Sequence, residues 1–205
     1  MFSARAARRA LNRYRKRGLD ALERDMLEEV SGGGIDGARV LEIGGGIGAI
    51  QAELLEAGAT SGEVVELVAA YEPYAEELAR ERGIEERTSF RVEDVLDSPA
   101  RVDPADVVVL NRVVCCSPDG VQLAGIAARL SRQTLALSFP RDRLLIRFGI
   151  CGMNAVMRLM RRSFRVFVHP RAALVGAAEA EGLALASTGG SFAWEFVVLR
   201  RRPSE

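Results

Sequence analysis

The chain has 205 residues, 48% hydrophobic and 27% charged, with a formal net charge of zero. That length suits one domain with a sizeable core better than two. Three cysteines without paired spacing and a single histidine exclude a disulfide framework and a Cys/His zinc cluster, so no metal site is expected.

The arginine-rich opening, Met1 to Leu11, lacks the apolar stretch of a secretory signal, and no apolar run approaches a membrane span. A reducing cytoplasm is the expected location. Charge is unevenly spread. From Arg5 to Arg17 there are seven basic residues and no acidic one, and Arg141 to Arg171 holds eight arginines against Asp142 alone. An acidic middle running from Glu63 to Asp97 separates them. Such patches attract an anionic small molecule, a lipid surface or nucleic acid, or are solvated helix faces.

In chain order, Ser3 to Val30 reads as a helix or two helices broken at Gly18, with Leu19, Leu22, Met26 and Leu27 at helical spacing. Gly32-Gly33-Gly34 follows, so residues 1–34 are expected to form a helical cap on a main domain spanning 35–205. Strand and helix then alternate: Ala38 to Ile43 strand, Ile47 to Ala57 helix, Glu63 to Val68 strand, Tyr71 to Arg82 helix, Ser89 to Val92 strand. Asp106 to Leu110 is a fourth strand, Val121 to Leu130 a helix and Thr134 to Phe139 a fifth strand. Strands separated by helices of this length imply a parallel sheet covered on both faces.

The last third differs. Leu144 to Met160 is a helix with an apolar face in a basic segment; that face is either core or an acceptor-binding lid, the lid being an insertion at about 141–169. Arg165 to Val168 is short and extended, and Pro170 suits the first turn of a helix running to about Glu181. Leu183 to Ala186 and Phe192 to Leu199 are two strands whose gap is too short for a crossover helix, so they pair as an antiparallel hairpin. The expected fold is therefore α/β, a doubly wound, mostly parallel seven-stranded sheet with a terminal antiparallel strand.

The chemistry concentrates in Val40-Leu41-Glu42-Ile43-Gly44-Gly45-Gly46-Ile47-Gly48, a strand running through glycines into a helix. Glycines there let the backbone turn sharply and let a ligand lie against it, at the sheet's carboxyl edge where open parallel sheets bind ligands. Gly44, Gly46 and Ala49 also satisfy the dinucleotide form Gly-x-Gly-x-x-Ala, so a nicotinamide enzyme competes. The surrounding residues separate the two readings. Glu42 lies two positions before the first glycine. Glu66 ends the second strand about twenty residues on, where a carboxylate accepts from both ribose hydroxyls. Asp94 follows the third strand and Asn111 the fourth.

This combination resembles the class I S-adenosylmethionine-dependent methyltransferases over Ala38 to Leu199, including the final antiparallel strand. The resemblance implies a Rossmann-like methyltransferase fold with S-adenosylmethionine as cofactor. It sets Glu42, Gly44, Gly45, Gly46 and Gly48 beside the methionine part and ribose, and Glu66 with Leu67 on the ribose. It sets Asp94 with Val95 on the adenine, and Asn111, Arg112 and Val113 near the sulfonium. Many relatives carry Asp where this chain has Asn111. The segment Phe167-Val168-His169-Pro170 is faintly similar to magnesium-protoporphyrin O-methyltransferases, too short a likeness to assign a substrate. The Asn-Pro-Pro-aromatic motif of adenine and glutamine-amide N-methyltransferases is absent, because Arg112 follows Asn111.

Methyl transfer is an in-line displacement from a cationic sulfonium, so positioning and exclusion of water matter most. The candidate catalytic residues are His169, the single histidine and the usual base near neutral pH, and Tyr14, on the first helix. The competing readings are a histidine making an internal hydrogen bond and a tyrosine packing a helix. Cys115 and Cys116 read as small pocket-wall residues. The expected activity is methylation of a small, partly hydrophobic molecule, with O-methylation favoured over N- or C-methylation. A nicotinamide-dependent oxidoreductase is the alternative, though the sole lysine, Lys16, rules out a Tyr-x-x-x-Lys pair. The basic arm leaves a third reading, an RNA- or membrane-surface-binding protein on the same fold; no stacked aromatic run or added recognition domain supports a nucleic-acid partner.

Overall fold

The computed structural model describes residues 3–162 and 164–202. Met1, Phe2, Ser163 and Pro203 to Glu205, which fall in the expected cap, lid and main domain, lie outside the described residues.

Two helices open the chain, α1 (Ala4–Arg17) and α2 (Ala21–Ser31). The break falls at Gly18, whose φ of 63° is left-handed. Asp20 then caps α2 with a capping box: its carboxylate accepts from the Glu23 amide at 3.1 Å, and Glu23 accepts from the Asp20 amide at 2.7 Å. The strands and helices that follow are β1 (Arg39–Ile43), α3 (Ala49–Glu56), β2 (Ser61–Glu66), α4 (Glu72–Arg82), β3 (Thr88–Val92), β4 (Ala105–Asn111), α5 (Gly120–Leu130) and β5 (Ser131–Pro140). The last are α6 (Leu144–Leu159), α7 (Arg171–Glu179), β6 (Leu183–Gly190) and β7 (Trp194–Arg201).

The seven strands form one sheet in the order β3-β2-β1-β4-β5-β7-β6. All pairings are parallel except those of β7, which runs antiparallel to both β5 and β6. The last strand is therefore inserted inside the sheet, and β6 takes the edge. Because β1 lies between β2 and β4, the winding reverses there, and a crevice opens at the carboxyl ends of β1 and β4.

Alternate residues of the central strands feed two cores. Val40, Val107, Val109, Ala136 and Val198 face α1 to α4, while Leu41, Val108, Leu110, Leu135 and Leu199 face α5 and α7. Burial on both faces explains why these strands read as unbroken apolar runs. Leu11, Tyr14, Leu22 and Met26 from the two opening helices share a single core cluster with Val40 and Ile50.

Two differences from the sequence reading concern the last two strands. β6 extends through Ser187-Thr188-Gly189-Gly190, a run that reads as a turn, because its glycines let β7 approach: a Cβ on Gly189 would lie 2.5 Å from the Phe196 ring. Phe192, read as the start of the last strand, precedes β7 and is 64% exposed, whereas Phe196 within it is buried. The short segment 165–168 lies outside the sheet, and its Phe167 amide donates to the Cys115 carbonyl at 2.8 Å.

Phe139, 1% exposed at the carboxyl end of β5, is among the largest fully buried side chains. Phe139→Ala should lower unfolding free energy by about 3–5 kcal/mol, read from the urea midpoint.

Candidate functional site

The crevice is built where β1 stops. Gly44, Gly46 and Gly48 have φ of 68°, 57° and 70°, a left-handed backbone that glycine adopts without strain. The Gly44 amide donates to the Val65 carbonyl of β2 at 2.7 Å, holding the loop at the strand ends. A Cβ on Gly44 would lie 2.6 Å from a Val113 methyl, and one on Gly45 would lie 2.6 Å from the Glu42 carboxyl carbon. Gly48 serves packing, since a Cβ there would come within 3.2 Å of Val64.

Glu66 sits at the tip of β2. One carboxylate oxygen accepts from the Gly46 amide at 3.1 Å and the other from the Val68 amide at 3.0 Å. Each oxygen keeps a lone pair for a further donor. Beyond β3, Asp94 accepts from the Leu96 amide at 2.9 Å, which fixes its turn and leaves its other oxygen open.

Beneath the loop, Glu42 is buried and accepts from the Gln51 amide at 3.0 Å. Burial, with the neighbouring charges of Glu23 and Glu66, pushes its carboxyl up to about 8 against the single lowering hydrogen bond. On β4, Asn111 donates to Glu23 at 2.9 Å and accepts from the Ser138 hydroxyl at 2.6 Å. Arg112 is held in a left-handed conformation (φ 60°) by its amide bond to Ser138 Oγ at 2.9 Å. Its guanidinium lies 5.0 Å from the Trp194 ring centroid and donates to Asp20 at 2.6 Å. Burial opposes charge on Asp20, but the bonds from Arg112 and from the Glu23 amide hold its carboxyl below the usual value.

Two cavities meet at Gly44 and Glu66. The larger, about 400 Å³, is walled by Leu67, Asp94, Val95, Arg112, Val113, Cys116 and Phe164. The smaller, about 170 Å³, is walled by Arg13, Tyr14, Glu23, Glu42, Gly45, Gly46, Tyr71 and Asn111. Every residue expected at the cofactor except Gly48 lines one of them. Glu23, Arg13, Tyr71 and Phe164 were not singled out from sequence. Glu23 had a readable signal, the Asp20-x-x-Glu23 capping box.

The expected catalytic pair is placed differently. Tyr14 lines the smaller cavity, but its hydroxyl donates to Glu53 at 2.5 Å and accepts from Arg82 at 2.8 Å. Burial and the Glu53 bond raise its pKa beyond the ordinary phenol range. His169 is in neither cavity wall. Its Nε2 lies 3.0 Å from the Ser117 carbonyl, which can only accept, so Nε2 carries the hydrogen. Its ring fills the space against Gly120, where a Cβ would lie 2.5 Å from Nε2. This position, outside both cavity walls, fits the internal-hydrogen-bond reading. Among the described residues of 141–169, Phe164 alone stands in either of these two walls, and the helix at 144–160 lines neither. Cys116 lines the larger cavity as expected, while Cys115 is buried behind it.

No protein-family model matches the chain, and no curated protein matches it. Solved structures do. A magnesium protoporphyrin IX methyltransferase from Synechocystis with bound S-adenosylhomocysteine matches with a TM-score of 0.70 at 19% identity, over 88% of this chain and 81% of that one. A geranyl diphosphate C-methyltransferase from Streptomyces coelicolor, with S-adenosylhomocysteine, matches at 0.67 and 16%, over 89% and 79%. An O-methyltransferase family 2 protein from Planctomyces limnophilus, in complex with apigenin, matches at 0.72 and 16%; it covers 98% of this chain, which spans 62% of that protein. At these identities the likeness is one of fold: the chain has the Rossmann-like class I methyltransferase fold. The fold also carries other chemistry, since a [4+2]-cyclase matches at 0.64.

Glu42 makes stability depend on pH. Its folded pKa of about 8 lies above the ordinary 4.5, so its contribution is complete below pH 4.5 and is lost as pH rises towards 8. Glu42→Gln keeps an acceptor for the Gln51 amide, and should flatten this decline in denaturation midpoints measured across that window.

Proposed function

We propose that the protein is an S-adenosylmethionine-dependent methyltransferase acting on a small, partly hydrophobic molecule, with an oxygen as the favoured acceptor atom. The observation carrying this reading is the pair of cavities joined at Gly44 and Glu66, with three carboxyl groups, Glu23, Glu42 and Glu66, around the smaller one. A ligand carrying a sulfonium and an ammonium suits this surround, because its charge favours ionisation of Glu42, which burial otherwise opposes. Solved relatives of the same fold hold S-adenosylhomocysteine.

In this reading Glu66 takes both ribose hydroxyls on its open lone pairs. Leu67 and Val95 flank the adenine and Asp94 accepts from its amino group. Gly44, Gly45 and Gly46 let the cofactor's chain lie against the backbone. Glu42 and Asn111 face its methionine end, and Arg112 and Val113 close the wall near sulfur. The cofactor supplies an electrophilic methyl group. Bound there, it would pass that methyl group to an acceptor oxygen and leave as the neutral thioether. A carboxylate acceptor already carries the negative charge it needs and requires no base. The protein's part is positioning and exclusion of water, and neither His169 nor Tyr14 is needed to take a proton. The apolar residues of the larger cavity support a partly hydrophobic acceptor. Three free thiols, Cys115, Cys116 and Cys151, suit a reducing cytoplasm.

Calorimetric titration with S-adenosylmethionine, S-adenosylhomocysteine and NAD tests the cofactor. Saturable binding of both sulfur compounds is expected, weakened about 10- to 100-fold by Glu66→Ala through loss of charge-assisted hydrogen bonds. Saturable NAD binding with no response to the sulfur compounds would overturn the reading in favour of an oxidoreductase.

A further inference from the structure

Every other α-helix of the described chain buries at least one residue; α6, sixteen residues long, buries none. Its exposed residues are also the wrong kind for water. Leu144, Leu145, Phe148, Val156, Leu159 and Met160 are 72%, 73%, 72%, 56%, 85% and 61% exposed. Leu145, Phe148, Val156 and Leu159 fall at spacings that place them on one face of the helix. The opposite face is anchored: the Asn154 amide donates to the Val166 carbonyl at 2.7 Å and accepts from the Val166 amide at 2.9 Å. Ile146, Ile150 and Met157 on that side are half-buried. Phe192, on the turn before β7, adds to the apolar surface beneath the Arg143 guanidinium, 5.5 Å from its ring centroid.

The charge around this surface has one sign. Among the described residues, Arg143, Arg158, Arg161, Arg162 and Arg165 make no ion pair, whereas Arg141 and Arg171 are taken by Glu195 and Arg147 by Asp142. A second copy of the chain would bring the same unpaired arginines against these. An apolar stripe flanked by guanidinium groups that no carboxylate neutralises matches the boundary between acyl chains and phosphates.

We propose that α6, with Phe192, docks the protein onto the surface of an anionic phospholipid bilayer. The stripe enters the acyl boundary and the arginines meet lipid phosphates, with no span crossing the membrane. Among the described residues no helix is long and apolar enough to cross. Phe164, beside the Val166 anchor, stands in the wall of the larger cavity, so a docked α6 sets that cavity next to the lipid surface. Docking is independent of methyl transfer and is measured without cofactor.

The experiment is co-flotation of the full chain with vesicles of phosphatidylcholine alone or phosphatidylcholine containing phosphatidylglycerol, alongside light scattering for oligomeric state. The chain should float with the anionic vesicles, weaken by about fivefold per arginine removed from the surface, and lose binding as salt shortens the screening length. Leu145→Glu with Phe148→Glu should abolish flotation; both positions are exposed, so the variant folds, as a native melting transition will show. Arg158→Glu with Arg162→Glu should weaken it at least about twentyfold. Failure of the wild-type chain to float, flotation indifferent to these substitutions, or a dimer that Phe148→Glu turns into a monomer would each overturn the proposal.

Discussion

Gly44 and Gly45 have no room for side chains, because Val113 of the neighbouring crossover and Glu42 of the preceding strand already occupy the positions their Cβ atoms would take. That close approach lets β1 turn into α3 at the sheet's carboxyl edge without blocking the crevice. It also forces a carboxyl group into the interior beneath the loop. The left-handed glycines, the raised Glu42 carboxyl and the two cavities meeting at Gly44 follow from this one junction.

The opening helices complete the site. Asp20 and Glu23 cap α2 and at the same time receive Arg112 and Asn111 from the end of β4. One cluster therefore starts a helix and holds a strand end, with Glu23 and Asn111 in the wall of the smaller cavity and Arg112 in that of the larger. Burial pushes the Asp20 carboxyl upward, yet the bonds from Arg112 and the Glu23 amide prevail and hold it below its ordinary value. On the far side His169 and the residues before it brace the segment after β4, through the Ser117 and Cys115 carbonyls. The sole histidine thus shapes the larger cavity from behind its wall.

The strand–glycine–helix unit was legible in the sequence because each of its constraints acts over a few residues. The apolar run of β1, the glycines and Glu66 at the next strand end sit at fixed local spacings. The same holds for the sheet's antiparallel finish, which a gap too short for a crossover dictates. What stayed hidden depends on contacts between distant residues. Nothing periodic joins Arg112 to Asp20 or Tyr14 to Glu53 and Arg82. His169 had the right chemistry for a base, and only the fold shows that it stands outside both cavity walls, against the Ser117 carbonyl. The helix at 144–160 carried a correct amphipathic pattern, but periodicity says which residues share a face and not what that face meets.

The most direct test of the account is a crystal structure of the chain grown with S-adenosylhomocysteine. The account predicts the ribose hydroxyls on Glu66, adenine between Leu67 and Val95 against Asp94, and the amino-acid end over Gly44 to Gly46 facing Glu42. A ligand bound elsewhere, such as the groove between α3 and α4 lined by Gln51 and Phe90, with the crevice at Glu66 unused, would contradict it.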